Sequence, residues 1–489
     1  MSQKFYVTTS IPYVNGKAHI GHALEFTQAD VLARWHRELG DEVAFVTGAD
    51  EHGSKIYKTA TEQKKDPQSF VDEVTESFKQ VHKILNISYD GFVRTSSDVH
   101  KQAAQAVWQK LLDKGDIYKG EYEGLYCVGC ESFVTEEHAR QNNGVCPNHQ
   151  KPYEKLKEEN YFFKLAQYTG PVKTAIEQGE FSVKPLNRQH EILQVLEEGL
   201  EDISVSRPQN NLPWGVPVPN DTDQVMYVWF EALINYISAI GYPDNSDFQK
   251  FWPADVHVIG KDILRFHAAI WPAMLLAIDE ALPKTLFVHG FIGSGGQKMS
   301  KSIGNVVDPF VVVEQYNADA FRYYLLRHIP PADDGDFTFE KFERAYNGEL
   351  ANDLGNLVSR LASMIKRYQE GVIGAVPEPE HDIAEYNRAM ANFEFSKALE
   401  AVWVQVRGLN QYLEEEKPWE VAKESDPEHL REIMSYAVGA LIEIARLLSP
   451  FMPDTSKAIL ELFANGLING EIPNLFPKQY HYTEQTRNG

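Results

Sequence analysis

The chain has 489 residues and a formal net charge of −23, with 43% apolar and 24% charged residues. This length predicts two to four domains, and the composition is that of a folded protein rather than a disordered one. The negative charge excludes a nonspecific coat on nucleic acid or on an anionic membrane, although a local basic patch remains compatible with it. Because the sequence has no signal-like N-terminus and no long uncharged apolar run, we expect a cytoplasmic protein.

The first fifty residues have the pattern of a strand, a helix and a second strand. KFYVTT (4–9) predicts a strand, HALEFTQADVLARWHRELG (22–40) has apolar residues at helical spacing, and EVAFVT (42–47) predicts another strand. This βαβ pattern predicts a parallel sheet with a ligand crevice at the carboxyl ends of its strands. His19 and His22, in the glycine-rich turn PYVNGKAHIGHALE, are expected at that crevice.

The two histidines have a structural and a functional interpretation. A tight glycine turn with ordinary hydrogen bonds is the more frequent meaning of so short a motif. The alternative is that imidazole N–H groups and amides at a helix start stabilise nucleotide phosphates. A second candidate element is GSGGQKMSKSIGN (293–305), which is either a solvated loop or a phosphate-binding loop. Lys298 and Lys301 would neutralise a polyphosphate, and this second interpretation favours the functional role of the two histidines.

Further strands of the same sheet are predicted at VHVIG (256–260) and TLFVHGFIG (285–293). An insertion separates them from the first strands, and it contains all three cysteines in the pattern YCVGC…VCPNH. Two residues lie within each pair and fifteen between the pairs, which is the spacing of a zinc knuckle. The predicted ligands are Cys127, Cys130, Cys146 and His149. Four protein ligands leave no open position, so the zinc would be structural; buried cysteines without metal are the alternative.

The sequence from about Gly348 onward has helical patterning. Phe395, Leu399, Val402, Val406, Leu409 and Leu413 are spaced by four and three residues, and a second helix covers Ile433 to Leu448 before the prolines of SPFMPD. We therefore expect a separate helix bundle.

HIGH (19–22) and KMSKS (298–302) resemble the two signature sequences of class I aminoacyl-tRNA synthetases. The blocks SIPYVNGKAHIGHA, TGADEHGSKI, YVWFEALINYI, VIGKDILRFHAAIWPAML and HGFIGSGGQKMSKSIGN resemble those of the methionyl-tRNA synthetase family. The resemblance implies an α/β fold: a Rossmann-type parallel-sheet catalytic domain with a zinc-knuckle insertion, followed by an all-α anticodon-binding helix bundle. We expect catalytic halves at 1–117 and 224–306, the insertion at 118–223, a stem-contact linker at 307–347 and the bundle at 348–489.

The resemblance also implies roles for single residues. The methionine pocket would be formed by Tyr13, Trp229, Ala232, Leu233, Tyr236, Ile263 and His267, with Asp50 binding the ammonium group. Aromatic edges suit a polarizable thioether. Gly21, Gly260, Asp262 and Lys301 would bind ATP, and His19, His22, Lys298 and Lys301 would stabilise the reacting phosphates. Asn356, Arg360 and Trp419 would meet the CAU anticodon.

The implied activity is the ATP- and Mg²⁺-dependent activation of L-methionine and its transfer to tRNA(Met). Without the resemblance, an aromatic stripe such as Trp229, Leu233 and Tyr236 is more often core, Asp50 is common turn chemistry, and Trp419 is equally well a plug of the bundle. A cysteine-specific relative, a noncatalytic tRNA-binding paralogue and a small-molecule adenylyltransferase are rival functions. We expect a monomer, because the sequence contains nothing resembling the C-terminal dimerisation module that the family often carries. Since the protein is acidic, a tRNA-binding face would need local basic residues, for which Arg360, Lys366 and Arg367 are candidates.

Overall fold

The computed structural model describes residues 3–127, 132–134, 136–147, 150–299, 305–377, 383–424, 426–464 and 466–482. The chain divides into two compact units. The first contains Met1–Ala18, His36–Gln80 and Ser88–Val288, and the second contains His19–Trp35, Val81–Ile87 and His289–Gly489. Within the described residues, no helix is both long and apolar enough to cross a lipid bilayer.

The strands of the described residues are, in chain order, β1 Lys4–Thr9, β2 Glu42–Ala49, β3 Gly91–Arg94, β4 Ile117–Cys127, β5 Ser132–Val134, β6 Glu154–Phe163, β7 Ser182–Lys184, β8 Ile203–Ser204, β9 Ser206–Pro208, β10 Pro217–Val218, β11 Asp221–Met226, β12 Val256–Gly260, β13 Thr285–His289, β14 Ile292–Ser294, β15 Gln297–Lys298 and β16 Gly335–Asp336.

The α-helices of the described residues are α1 Ile20–Glu38, α2 Ser54–Glu62, α3 Pro67–Ile84, α4 Asp98–Asp113, α5 Glu136–Gln141, α6 Thr169–Glu177, α7 Leu186–Glu198, α8 Val228–Leu233, α9 Asn235–Ser238, α10 Ser246–Phe251, α11 Trp271–Ala277, α12 Pro309–Gln315, α13 Ala318–Arg327, α14 Phe339–Ala345, α15 Asn356–Tyr368, α16 Ala384–Ala391, α17 Phe395–Glu416, α18 Pro418–Glu424, α19 Pro427–Leu448 and α20 Pro453–Ala464. Two π-helical segments, Phe266–Ile270 and Tyr346–Gly355, precede α11 and α15.

The first unit is built on a sheet with the strand order β3-β2-β1-β12-β13-β7 in the described residues. Strand β1 pairs in parallel with β2 on one side and with β12 on the other, so that Val7 lies opposite both Phe45 and Val256. From Phe5 onward β1 is buried, as expected for a parallel strand covered on both faces. The predicted parallel α/β sheet and the strands at 4–9 and 256–260 are confirmed.

The predicted strand at 285–293 is wrong in its second half. Only Thr285–His289 joins the parallel sheet, whereas β14 pairs with β15 and β16 in a small separate sheet. The strand is interrupted at Gly290, where a Cβ atom would lie 2.2 Å from the carbonyl carbon of Asp333. Only glycine permits this approach of two backbones, and the sequence pattern of the strand did not reveal it.

The region between β3 and β12 forms further antiparallel structure in the first unit. Strands β4 and β6 pair from Ile117 opposite Phe163 to Tyr126 opposite Glu154, and β5 and β8 flank them. Trp108 of α4 is fully buried against the rings of Tyr161 and Phe230, at centroid distances of 5.3 and 5.5 Å. These contacts join α4 to the insertion and to α8.

The second unit is predominantly helical. The helix predicted from Phe395 to Leu413 is α17, and all six of its predicted apolar residues are buried. The helix predicted over Ile433 to Leu448 is the C-terminal part of α19. The helical character predicted beyond residue 348 is thus confirmed. The second unit also contains His19–Trp35, which is most of the first helix, α1, with the residue before it.

A fully buried arginine joins three segments of the second unit. Arg322 of α13 forms an ion pair with Asp30 of α1 at 2.7 Å, and both side chains are inaccessible to solvent. Its guanidinium also donates to the carbonyl oxygens of Leu85, Pro450 and Phe451 at 3.1, 2.8 and 2.9 Å. The planar guanidinium therefore fixes α1 against α13 and against the turn between α19 and α20.

We predict that Asp30→Ala destabilises the protein by roughly 3–5 kcal/mol, because it leaves the buried charge of Arg322 without its carboxylate. Urea unfolding followed by circular dichroism measures the change. Glu73→Ala is the control, since Glu73 is exposed and pairs with Lys65 at the surface. A loss of stability no greater than that of the control would contradict the prediction.

Candidate active site

Asp50 follows β2 at the carboxyl end of the sheet. Its main-chain N–H donates to Pro12 O at 2.9 Å, and its carbonyl accepts from Val14 N–H at 3.0 Å, so Tyr13 lies in a bridge opposite it. Asp50 is 4% exposed and Tyr13 is half-buried. The structure brings these two predicted methionine-binding residues together through the backbone, without relying on their side chains.

The predicted wall of the methionine pocket lies on two short helices of the first unit. Ala232, Leu233 and Tyr236 are buried on α8 and α9, whereas Trp229 is half-buried. The indole of Trp229 stacks on Phe266, with ring centroids 3.9 Å apart and planes inclined by 13°. Phe266 was missed by sequence reasoning, although it directly precedes the predicted His267.

Tyr236 and His267 are joined by a hydrogen bond of 2.6 Å between the phenol oxygen and Nε2. Nδ1 of His267 lies 2.9 Å from Ile263 O, to which it must donate, since a carbonyl only accepts. Burial lowers the pKa of His267 to about 4, so the ring is neutral at pH 7 and Nε2 accepts the hydrogen of Tyr236. The three predicted residues Tyr236, Ile263 and His267 therefore form one oriented chain.

Two predicted ATP-binding residues lie at the carboxyl end of β12 and just after it. Gly260 is buried as the last residue of the strand, and Asp262 is exposed in the 3₁₀ turn Lys261–Ile263. This is the carboxyl edge of the same parallel sheet that carries Asp50. The π-helical segment that follows places Phe266 and His267 in an irregular turn, a feature frequent at functional sites.

The two signature histidines lie at the start of α1, in the second unit. Nδ1 of His19 accepts the main-chain N–H of Gly21, and Nδ1 of His22 accepts that of His19, both at 3.1 Å. Since both Nδ1 atoms act as acceptors, each ring carries its hydrogen on Nε2. A Cβ at Gly21 would lie 3.0 Å from the His19 ring, which explains the glycine between them.

The pKa of His22 lies well below its ordinary value. Burial is the main cause, and the neighbouring imidazoles of His19, His289 and His82 add to it by disfavouring a further positive charge. A neutral His22 offers its Nε2–H as a hydrogen-bond donor without the cost of a buried charge. This arrangement suits stabilisation of a phosphate oxygen.

Several predicted residues lie partly or wholly outside the described residues. Lys298 ends the short strand β15, and Lys301 lies outside the described residues. Of the predicted zinc ligands, Cys130 and His149 also lie outside them. Cys127 and Cys146 are each 2% exposed. The main-chain N–H of Cys146 donates to Lys151 O at 2.9 Å, and the carbonyl of Cys146 accepts from Gln150 N–H at 2.8 Å.

The three predicted anticodon residues all lie in the second unit. Asn356 is exposed at the start of α15, and Arg360, one turn later, pairs with Glu414 of α17. Trp419 is half-buried in α18, directly after the proline that begins the helix. Asn356 and Arg360 share one face of their helix, as the spacing of four residues predicts.

A buried polar cluster was not predicted from the sequence. Glu231 of α8 lies between Trp229 and Ala232, two predicted pocket residues, and is inaccessible to solvent. It contacts His52 and His100 at 2.9 and 2.7 Å. The available signal was a single carboxylate within the apolar stretch YVWFEALINYI, since buried charges require partners.

Comparison with known proteins identifies the class. Residues 5–362 match the family model described as tRNA synthetases class I (M), and residues 374–471 match that of the anticodon binding domain of methionyl tRNA ligase. The first match covers more than half of the chain and contains both signature sequences. These matches define a class I aminoacyl-tRNA synthetase.

Individual relatives define the family within this class. The Methionine--tRNA ligase of Thermotoga maritima is 42% identical over 470 residues, covering 93% of this chain and 74% of the relative. That of Streptomyces coelicolor is 42% identical over 481 residues, covering 94% and 89%. The Mycobacterium tuberculosis methionyl-tRNA synthetase in complex with methionyl-adenylate has a TM-score of 0.90 at 34% identity, covering 97% and 100%. The chain belongs to the methionyl-tRNA synthetase family, which confirms the predicted family and enzyme class.

We predict that His267→Gln reduces the dependence of stability on pH. In the native protein burial lowers the pKa of His267 to about 4, whereas the pKa of an unfolded histidine is about 6.5. Between these values the unfolded state binds more protons, so the free energy of unfolding falls as the pH is lowered. Removing this group should reduce the slope by up to about 1.4 kcal/mol per pH unit.

Urea unfolding of both proteins at pH 7, 6 and 5 tests this prediction. His22 and His257, whose pKa values are also lowered by burial, retain part of the slope in the variant. Equal slopes in the two proteins would show that His267 is not buried in its neutral form.

Proposed function

We propose that this chain is a methionine–tRNA ligase that works in two steps. In the first, a carboxylate oxygen of L-methionine attacks the α-phosphorus of ATP and pyrophosphate leaves. In the second, a ribose hydroxyl at the 3′ end of tRNA(Met) attacks the carbonyl carbon of methionyl-adenylate, and AMP leaves. The observation that carries the proposal is the hydrogen-bonded set Tyr236, His267 and Ile263, together with the stack of Trp229 on Phe266, in a protein whose relatives are named for this reaction.

Methionine recognition is assigned to residues of the first unit. Asp50 binds the ammonium group, and Tyr13, Trp229, Ala232, Leu233, Tyr236, Ile263 and His267 surround the side chain. The Tyr236 hydroxyl gives its hydrogen to His267, so it has none for a substrate oxygen. Aromatic and aliphatic surfaces with a satisfied polar edge favour an unbranched thioether over a polar side chain.

Phosphate stabilisation is assigned chiefly to residues of the second unit. His19 and His22 would donate Nε2–H groups to phosphate oxygens of ATP, and Gly21 lets the backbone approach the nucleotide. Lys298 and Lys301 would neutralise the leaving pyrophosphate. Gly260 and Asp262 of the first unit would bind near the ribose. Mg²⁺ accompanies ATP as part of the substrate.

No protein nucleophile is needed for either step. The acid anhydride of methionyl-adenylate supplies the activated carbonyl, and the proton of the attacking ribose hydroxyl leaves with the phosphate group. The assigned side chains therefore act by positioning and by charge stabilisation.

A structural zinc ion in the insertion fits the donor atoms that are described. Cys127 and Cys146 are buried sulfur donors, of the kind that zinc prefers. Cys130 and His149 would complete a tetrahedral set. When bound, zinc would hold the two turns together, and the insertion would receive the acceptor end of tRNA.

Anticodon recognition is assigned to Asn356, Arg360 and Trp419. The exposed amide of Asn356 is suited to hydrogen bonds with a base edge, and the half-buried ring of Trp419 to stacking on an unpaired base. Arg360 would exchange its ion pair with Glu414 for a contact with RNA. Lys366 and Arg367, both exposed, add local positive charge to an acidic protein.

We propose the same domain borders as in the sequence analysis, after residues 117, 223, 306 and 347. We also propose that the enzyme is a monomer and acts in the cytoplasm, where charged tRNA is used for translation.

We predict that ATP–pyrophosphate exchange, measured without tRNA for each of the twenty amino acids, depends on methionine alone. Exchange with cysteine or isoleucine would overturn the substrate, and its absence with every amino acid would favour a noncatalytic tRNA-binding protein. His22→Ala is the catalytic control: its exchange rate should fall with its far-UV spectrum unchanged, since it removes one phosphate donor and a single local hydrogen bond to His19 N–H.

We further predict about one zinc ion per chain and its loss in Cys127→Ser and Cys146→Ser. Elemental analysis of the purified proteins measures the metal content. The variants should lose more aminoacylation than exchange activity, because the insertion is assigned to the tRNA step. An unchanged zinc content in both variants would rule out the assigned ligands.

A further inference from the structure

The polar cluster around Glu231 connects three segments of the first unit that carry proposed methionine-binding residues. Oε1 of Glu231 lies 2.9 Å from Nδ1 of His52, and Oε2 lies 2.7 Å from Nε2 of His100. Nδ1 of His100 in turn lies 2.9 Å from the hydroxyl of Ser238. His52 is two residues after Asp50, and Ser238 is two residues after Tyr236.

The cluster is closed to solvent. Glu231 and His100 are inaccessible, and His52 and Ser238 are each 2% exposed. Burial alone would raise the pKa of the Glu231 carboxyl, but the contacts with His52 and His100 outweigh it and keep the pKa below its usual value. The carboxylate is therefore charged and accepts one hydrogen bond from each imidazole. Hydrogen bonds to a charged acceptor in a dry site are short, directional and costly to break.

The segment after Asp50 is fixed on its other side by a separate set of contacts. The Glu51 carboxylate accepts from Thr75 Oγ1 at 2.6 Å and from Arg94 Nε at 2.7 Å. Its carbonyl accepts from Trp214 Nε1 at 2.6 Å. These contacts hold Glu51, and none of them reaches α8. The bond from His52 to Glu231 is a polar contact between the Asp50 segment and the helix that carries Trp229.

Helix α8 itself is anchored by apolar packing. Phe230 is 1% exposed and stacks edge-on against Trp108, and Leu233 is 2% exposed. Loss of the Glu231 carboxylate would therefore leave the aromatic wall in place and would remove a polar contact that ties the Asp50 segment to it.

We propose that Glu231 is a positioning residue for substrate binding, which holds the ammonium-binding segment at Asp50 in register with the thioether-binding wall through His52 and His100. The inference rests on the proposed function, because it assumes that Asp50 meets the ammonium group. It extends that function to a residue that touches no substrate atom.

Two methionine analogues separate the two halves of the pocket. Methioninol retains the ammonium group and the thioether but lacks the carboxylate, whereas 4-(methylthio)butanoic acid lacks the ammonium group. Titration calorimetry on the full-length protein gives a dissociation constant for each analogue without requiring catalysis. For Glu231→Gln we expect methioninol binding to weaken about tenfold, equivalent to ~1.4 kcal/mol, and binding of the acid to remain unchanged.

The matched control is Glu343→Gln, which removes another fully buried carboxylate, one that accepts from the main-chain N–H of His481 in the second unit. Its two dissociation constants should equal those of the unmodified protein. If Glu231→Gln does not fold, as judged by circular dichroism, Glu231→Asp replaces it. The aspartate keeps the charge, but its side chain is one methylene group shorter and cannot keep both hydrogen bonds to the imidazoles. The same selective loss of methioninol binding is expected.

An equal weakening of both analogues would indicate general damage to the pocket and overturn the proposal, as would no change in either. Failure of the unmodified protein to bind methioninol at all would instead overturn the proposed function, and with it this inference.

Discussion

The parallel pairing of β1 with β2 and β12 determines where the chemistry of the first unit can lie. In a parallel sheet every strand ends at the same edge, so the residues after β1, β2 and β12 converge there. Tyr13, Asp50 and Gly260 come from positions that are far apart in the sequence, and the register of main-chain hydrogen bonds alone assembles them. The side chains are then oriented by local contacts, such as the main-chain bridge between residues 13 and 50.

The main elements of the fold and the enzyme class could be predicted because they depend on local sequence patterns. Period-two and helical spacing predicted β1, β12, α17 and α19, and HIGH with KMSKS identified the enzyme class. The proposed methionine pocket could not be derived in this way, since Tyr236 is 1% exposed and has the same pattern as a core residue. Only the resemblance to a family distinguished it. The partners of Glu231 were also out of reach, because His52 and His100 are more than a hundred residues away in the chain, and β14 was misassigned because the break at Gly290 depends on a distant backbone.

The main chain determines which ring nitrogen carries the hydrogen in three histidines, and the outcome for His267 is the opposite of that for His19 and His22. In His19 and His22 an amide donates to Nδ1, so Nε2 carries the hydrogen and is a donor. In His267 a carbonyl accepts from Nδ1, so Nε2 is an acceptor. The first arrangement suits an anionic oxygen, and the second engages the hydrogen of the Tyr236 hydroxyl in a bond to His267. One residue type thus serves two kinds of chemistry, according to whether an amide or a carbonyl lies beside it.

The position of Arg322 has a consequence for the autonomy of the helical C-terminal region. Its guanidinium satisfies the carbonyl oxygens of Pro450 and Phe451, yet the residue lies upstream of the bundle and takes its counter-charge from α1. A fragment that began at residue 348 would lack both the donor and the counter-charge, and the turn between α19 and α20 would lose the group that closes it. The boundary at which the sequence changes to helical patterning is therefore not the boundary of a self-sufficient folding unit: the bundle completes its interior with residues that precede it in the chain.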